Sequence, residues 1–256
     1  MKLIISPAKK MNVREDELDW ANLPCFLKKA EKLKEYIQGL SREEARRLWA
    51  CNEKIAELNY TRFQGMDLTR RLTPALLSYE GIQYQYMAPG VFEQGQWDYV
   101  QEHLRILSGF YGILRPLDGI VPYRLEMQAK AAFPSGAKNL YEYWGREIYE
   151  ELAREDKVIV NLASKEYSRA VEPYLTSKIT WITCVFGTVE TAQGAKGKEG
   201  GKVKVKATEA KMARGEMVRF LAENQAEDIK IIKDFDRLGY RYSEERSSDC
   251  EYIFIK

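Results

Sequence analysis

Histidine is almost missing from this chain. His103 is the only one in 256 residues, and the four cysteines, Cys25, Cys51, Cys184 and Cys250, lie far apart with no Cys-x-x-Cys pair. A Cys/His zinc site therefore has little support, and the cysteines read as reduced, small hydrophobic residues of a reducing compartment. A long apolar run is also missing, since nothing approaches the roughly 20 residues that span a bilayer. The opening MKLIISPAKK has one basic residue before an apolar run too short for a secretory signal. The expected location is the cytoplasm, with no membrane partner. There is no Gly-x-Ser-x-Gly elbow, no phosphate-binding Walker loop and no dinucleotide fingerprint. The formal net charge is only +2, so any anion binding must come from local clustering of cations. No metal and no cofactor is expected.

Ordinary globular material remains: 45% hydrophobic and 30% charged residues, with aromatics throughout. KLII at 2–5 reads as a strand that Pro7 stops, followed by a loop over 12–25. The 3.6-residue period predicts a helix over 26–40. Ser41 with Glu44 forms a capping-box pattern for the next helix, and a third covers about 52–62. A short helix is expected near 73–79 and a clean one over 98–108. There Val100, His103, Leu104 and Leu107 share a stripe that makes His103 a core residue. Gly109 and Gly112 then break the chain, and a second short helix runs from Ile113 to before Pro122. Tyr123–Met127 reads as a strand or an extended segment, 140–155 as helix and KVIVNL at 157–162 as the clearest buried strand. A β-rich run over 178–190, a Gly/Lys-rich turn at 194–202 and a strand over 202–207 suggest a hairpin with a long loop. A helix over 208–224 and strands near 239–243 and 251–255 close the chain. Strands and helices do not alternate regularly, which argues for α+β rather than a doubly wound sheet. No repeat or linker appears, so 1–256 reads as a single compact mixed-sheet domain with peripheral helices.

Four segments could carry chemistry. Ser6, Lys9 and Lys10 lie just past the first strand, where ligands sit in parallel sheets; an ordinary strand exit with solvated lysines is the plainer alternative. In 105–127, Arg105 falls away from the apolar stripe. Gly109 and Gly112 would let backbone N–H groups approach a phosphate in a helix-hairpin-helix-like element, or simply permit a tight turn. Arg115 and Arg124 could add phosphate contacts. Glu126, two residues from Arg124, is a candidate general base or that arginine's ion-pair partner. Asn161, Ser164 and Tyr167 follow the buried strand; they could meet a polar ligand, or Ser164 could cap a helix while Asn161 satisfies local backbone. In the last helix Lys211, Arg214 and Arg219 cover one arc of the helical wheel. Residues 196–219 hold eight Lys or Arg against three Glu, a local excess of five.

Together these blocks resemble the YaaA family of bacterial peroxide-stress proteins. The matching pieces are ISPAK (5–9), HLR-I-LSG-YG-LRPLD (103–118), PYRLEM (122–127), YWG (143–145), NLAS-EY (161–167) and AK-ARG (210–215) followed by Arg219, in family order along nearly the whole chain. The resemblance implies a compact mixed α/β fold with a positively charged cleft, and survival of hydrogen peroxide by limiting damage linked to unincorporated iron. It also implies DNA binding through a helix-hairpin-helix element, which here would lie around 98–120. No residue pattern explains iron control, so that effect would be indirect.

Two functions follow as expectations. In the first, a monomer binds DNA, duplex or distorted and open, with Lys9, Lys10, Arg105, Gly109, Gly112, Arg115, Arg124, Lys165, Lys211, Arg214 and Arg219 at phosphates or bases. Tyr111, Tyr123 and Tyr167 would stack on unpaired bases. In the second, an enzyme acts on a nucleobase or nucleotide in a pocket of Ser6, Tyr123, Asn161, Ser164 and Tyr167, with Arg124 on a phosphate and Glu126 as base. A third expectation is a protein-interaction or iron-handling partner that uses the basic helix to meet an acidic protein.

Overall fold

Lys2–Ile5 forms β1 with all four residues buried, and Lys10–Met11 forms β2. The computed structural model describes residues 1–14, 18–131, 133, 135–190 and 201–256. Apart from Gly201 and Lys202, the Gly/Lys-rich turn lies outside the described residues, and Lys196 and Lys198 with it. Helix α1 (Leu27–Gln38) follows the expected period and buries Ala30, Leu33 and Ile37. Helix α2 (Arg42–Trp49) opens on the capping box: the Ser41 amide donates to Glu44 Oε2 at 2.8 Å and the Glu44 amide to Ser41 Oγ at 3.4 Å. Helix α3 (Glu53–Gln64) starts at Asn52, whose Oδ1 accepts from the Ile55 amide.

The middle of the chain departs from expectation. In place of one short helix over 73–79 stand β3 (Thr73–Pro74), α4 (Ala75–Ser78) and β4 (Tyr79–Glu80), and α5 (Ile82–Met87) follows. Helix α6 (Gln94–His103) stops five residues before the expected end, and Leu104–Ser108 is strand β5. Next, β6 (Gly112–Leu114) pairs antiparallel with β5, and β7 (Gly119–Ile120) pairs with β3. The element over 98–120 is therefore a helix leading into a β-hairpin, not a helix-hairpin-helix. LRILS is buried along its whole length, and over five residues a fully buried strand carries no period that separates it from helix. The two glycines serve this hairpin. Gly112 has φ +76°, and a Cβ there would lie 2.9 Å from Trp144; a Cβ on Gly109 would lie 2.5 Å from the Leu125 carbonyl. Residues 121–126 run outside any ladder, so no strand forms at Tyr123–Met127.

The helix expected over 140–155 breaks at Gly145 (φ +52°) into α7 (Leu140–Trp144) and α8 (Glu147–Glu155). Then come β8 (Val158–Asn161), α9 (Lys165–Ser168), β9 (Thr180–Glu190) and β10 (Lys202–Lys204), the last antiparallel on β9 as the expected hairpin requires. Helix α10 (Ala207–Glu223), β11 (Arg241–Tyr242) and β12 (Glu251–Ile255) complete the chain.

The main sheet is mixed, with order β11-β12-β9-β8-β1-β5-β6 and β10 beside β9. Its centre, β5-β1-β8-β9-β12, is parallel throughout. The chain leaves β1 for β5 on one side and leaves β8 for β9 on the other. That reversal between neighbours opens a crevice at the carboxyl ends of β1 and β8, the switch point where parallel sheets bind ligands. The irregular order of elements along the chain hides this parallel centre.

The period of two assigns the faces. Register places Ile4, Arg105 and Asn161 on one face, where Glu155 of α8 meets Arg105. Leu3, Leu104, Val160 and Ile182 lie on the other, where α6 packs on β1 and β5 and α10 on β9. The buried residues join in one continuous core. His103 is buried in it, with Nδ1 2.8 Å from the Met1 carbonyl oxygen, as its place on the apolar stripe predicted. Among the described residues no helix is long and apolar enough to cross a membrane.

Helix α10 lies against α5 so closely that a Cβ on Gly215 would sit 2.1 Å from the Gln83 carbonyl oxygen. Gly215→Ala must push these helices apart, an overpacking cost of about 2 kcal/mol. Urea unfolding should show the lowered midpoint. Gly90→Ala, whose Cβ meets open space, should stay within about 0.5 kcal/mol of the parent.

Candidate functional site

Ser6 follows β1 and Ser164 follows β8, so the switch point brings together two serines 158 positions apart. The Ser164 amide donates to Ser6 Oγ at 2.8 Å, and Ser6 Oγ donates to Ser164 Oγ at 3.2 Å. Tyr84 OH donates to the Ser6 carbonyl at 2.9 Å. Ser164 stands at the N-cap of α9, but its side chain caps nothing; it faces Ser6 instead.

A cavity of about 400 Å³ opens over this clasp. The strand ends supply Ser6, Lys9, Lys10, Ser164, Glu166 and Tyr167. Gln83 and Tyr84 come from α5, Tyr123–Glu126 from the extended segment, and Lys211 and Arg214 from α10. Ten residues singled out in the sequence thus meet at one place: Ser6, Lys9, Lys10, Tyr123, Arg124, Glu126, Ser164, Tyr167, Lys211 and Arg214. Five cations face three carboxylates in its wall.

Several of these charges are already paired. Glu126 takes Lys9 at 2.8 Å and Arg124 at 3.0 Å, and Glu80 takes Lys10 at 2.6 Å. Glu126 thus stands where an ion pair needs it, as the plainer expectation held. Arg214 and Lys211 differ, since among the described residues neither has a carboxylate in ion-pair range. Burial lowers the Arg214 guanidinium from its ordinary pKa. The Glu166 carboxyl is raised, first by burial and further by the charge of Glu126.

The donors are the telling feature. Five buried side-chain polar atoms among the described residues lack a hydrogen-bond partner, and three of them belong to this wall: Gln83 Nε2, Arg124 Nε and Arg214 Nε. Each is a donor. Buried donors without acceptors are costly, at about 1–3 kcal/mol apiece, and these three belong to residues that line one cavity.

The remaining expected site residues lie elsewhere. Arg105 is buried and held by Glu155 at 2.8 Å, and Arg115 meets the same carboxylate at 2.7 Å. Lys165 pairs with Glu172, and Arg219 with Glu223 at 2.7 Å. Gly109 and Gly112 pack inside the hairpin. Asn161 accepts from the Ala163 amide at 2.9 Å and donates to Thr183 Oγ1 at 3.3 Å, outside the cavity wall. Tyr111, Tyr123 and Tyr167 are all buried, so no ring offers a face for stacking. Tyr123 OH sits between Tyr79 OH (2.8 Å) and Ser108 Oγ (2.6 Å), and burial pushes its pKa up to about 12. Gln83 escaped the sequence reading, because a glutamine among tyrosines in QYQY carries no pattern of its own. Among the described residues no group of three or more His, Cys, Asp or Glu side chains could hold a metal.

The cluster around Arg105 is structural. Lys2 lies 3.9 Å from Glu155 as well but keeps Glu102 at 2.7 Å, so Glu155→Gln leaves one buried cation, Arg105, without its carboxylate. We expect a loss of about 3 kcal/mol in denaturant unfolding, against less than about 1 kcal/mol for Arg115→Ala at the half-exposed end. Nearby Asp118 is buried, and that burial raises its carboxyl to about 7. An acid whose folded pKa lies above its unfolded value of about 3.9 destabilises the fold as pH rises from the lower value to the higher. Thermal melts between about pH 4 and about pH 8 should show this loss, and Asp118→Asn should flatten it.

The family model described as peroxide stress protein YaaA matches residues 1–246. A UPF0246 protein of Desulfitobacterium hafniense is 53% identical over 256 residues, covering 100% of this chain and 98% of its own length. A UPF0246 protein of Agathobacter rectalis is 54% identical over 254 residues, covering 99% and 98%. One from Pediococcus pentosaceus is 50% identical over 256 residues, covering 100% and 98%.

Proposed function

We propose, for a chain that belongs to the peroxide stress protein YaaA family, that its part in the stress response is to bind DNA by seating one exposed nucleotide, phosphate first, in the switch-point cavity. The observation that carries this is the set of three donors, Gln83 Nε2, Arg124 Nε and Arg214 Nε, that belong to residues of one wall and, like Lys211 beside them, have no partner among the described residues. At about 400 Å³ the cavity has the size of a small-ligand site. A duplex laid along a broad cationic groove would need Arg105, Arg115, Lys165 and Arg219, and each of these already holds a carboxylate. Open or distorted DNA, whose nucleotides can leave the stack, suits a pocket better than intact duplex. Iron-linked damage would then be limited at the DNA and not through an iron site.

An anisotropy titration against single-stranded, bubble and duplex DNA at two salt concentrations tests this. Open forms should bind tighter. With about two phosphates engaged, log K should fall with log salt at a slope of about −1.4 for single strands. Arg214→Met should weaken binding about tenfold or more. Tighter binding of intact duplex, or indifference to Arg214→Met, would overturn the proposal.

A second reading, turnover of a nucleobase or nucleotide, is favoured by Glu166. Its raised carboxyl beside Glu126 has the setting of a general acid. On that reading Glu166→Gln removes product formation and leaves DNA affinity in place.

A further inference from the structure

Nucleotides present phosphate in two chemical states. Inside a strand it is a diester with two free oxygens and a single negative charge. On a free nucleotide or at a strand end it is a monoester with three free oxygens and a charge of about −1.5 to −2 near neutral pH.

Two features of the cavity wall bear on that difference. Its three unpartnered donors come from three separate parts of the chain: Gln83 in α5, Arg124 in the extended segment and Arg214 in α10. Gln83 is held by the close contact of Gly215 with its carbonyl, and Arg124 by its pair with Glu126. The three residues are thus anchored independently; Arg124 gives Nη2 to Glu126, while its Nε, like Gln83 Nε2 and Arg214 Nε, has no hydrogen-bond partner among the described residues. Charge gives a second, separate measure. Lys9, Lys10, Arg124, Lys211 and Arg214 face Glu80, Glu126 and Glu166, which leaves two positive charges uncompensated among the described residues. That excess is larger still where Glu166, with its raised carboxyl, holds a proton. A diester supplies one oxygen and one charge too few on both measures.

We propose that the cavity recognises a phosphomonoester, the terminal phosphate of a nucleotide, with one oxygen for each of Gln83, Arg124 and Arg214. This rests on the nucleotide reading of the same cavity and narrows it to a chemical class, whether the group is carried by a free nucleotide or by the end of a DNA strand. Lys211 adds charge from the rim. Ser6 and Ser164 bond to each other and hold the strand ends beneath.

Competition binding with the full chain tests it. A labelled, 5′-phosphorylated single-stranded oligonucleotide is displaced in turn by the same oligonucleotide unlabelled, by its 5′-hydroxyl form, by a 3′-phosphorylated form, by a deoxynucleoside 5′-monophosphate and by inorganic phosphate. Phosphate-ended strands should compete about tenfold better than the hydroxyl-ended one or more. Gln83→Leu and Arg214→Met should each erase that difference. Both variants replace an unpartnered buried donor by an apolar side chain, so unliganded protein should melt no lower than the parent. Either variant alone suffices for the test.

Equal competition by phosphate-ended and hydroxyl-ended strands, with Arg214 still required, would overturn the monoester preference and leave the DNA reading standing. A terminal-phosphate preference that survives both substitutions would also overturn the assignment. No specific binding of the labelled strand, with the deoxynucleoside 5′-monophosphate still binding in a direct calorimetric titration, would uphold the phosphomonoester and remove DNA as its carrier.

Discussion

The parallel pairing of Lys2–Ile5 with Leu104–Ser108 on one side and Val158–Asn161 on the other is the constraint on which the rest of the molecule hangs. This four-residue strand is buried along its whole length. Its two neighbours come from points about 100 and 155 residues further on, so the pairing gathers the chain around one line. Because the connections leave β1 and β8 in opposite directions, their carboxyl ends stand side by side with nothing threaded between them. Ser6 and Ser164 meet there, and the cavity is what remains above them.

The walls follow from packing of a different kind. Helix α10 reaches the cavity only because Gly215 lets it approach the backbone of α5, and this contact delivers Arg214 and Gln83 to the same place. The turn at Gly109 bears on the carbonyl of Leu125, next to Arg124, and so positions the extended segment. Conformational freedom at these glycines matters less than the absence of a side chain. Both allow backbones to touch, and both thereby aim a guanidinium into the cavity.

Cations in this protein do two kinds of work, and only their neighbours separate them. Arg105, Arg115, Lys165 and Arg219 each hold a carboxylate, and so lend the surface little free positive charge. Among the described residues Arg214 and Lys211 hold none, and both stand at the switch point. Sequence alone ranks these six alike, since a helical wheel or a local charge count sees the cation and not its partner. The arc assigned to Lys211, Arg214 and Arg219 shows this well. One residue enters a cavity, one lines its rim, and one turns back along its own helix to Glu223.

Patterns of local origin could be read directly from the chain. The strand KVIVNL, the Ser41–Glu44 capping box, the period of α1 and the core position of His103 each depend on residues within a turn or two. Ten of the residues chosen from the sequence do line the cavity, because polar groups just past strand ends are where parallel sheets keep their sites. Non-local matters were decided by the tertiary structure alone. Whether LRILS became helix or strand depended on β1 beside it. Whether Gly109 and Gly112 met a phosphate or a neighbouring backbone depended on Leu125 and Trp144. Whether a cation was free depended on carboxylates tens of residues away. Propensity and period act over a few residues, whereas burial, pairing and charge compensation are settled only when distant parts of the chain come into contact.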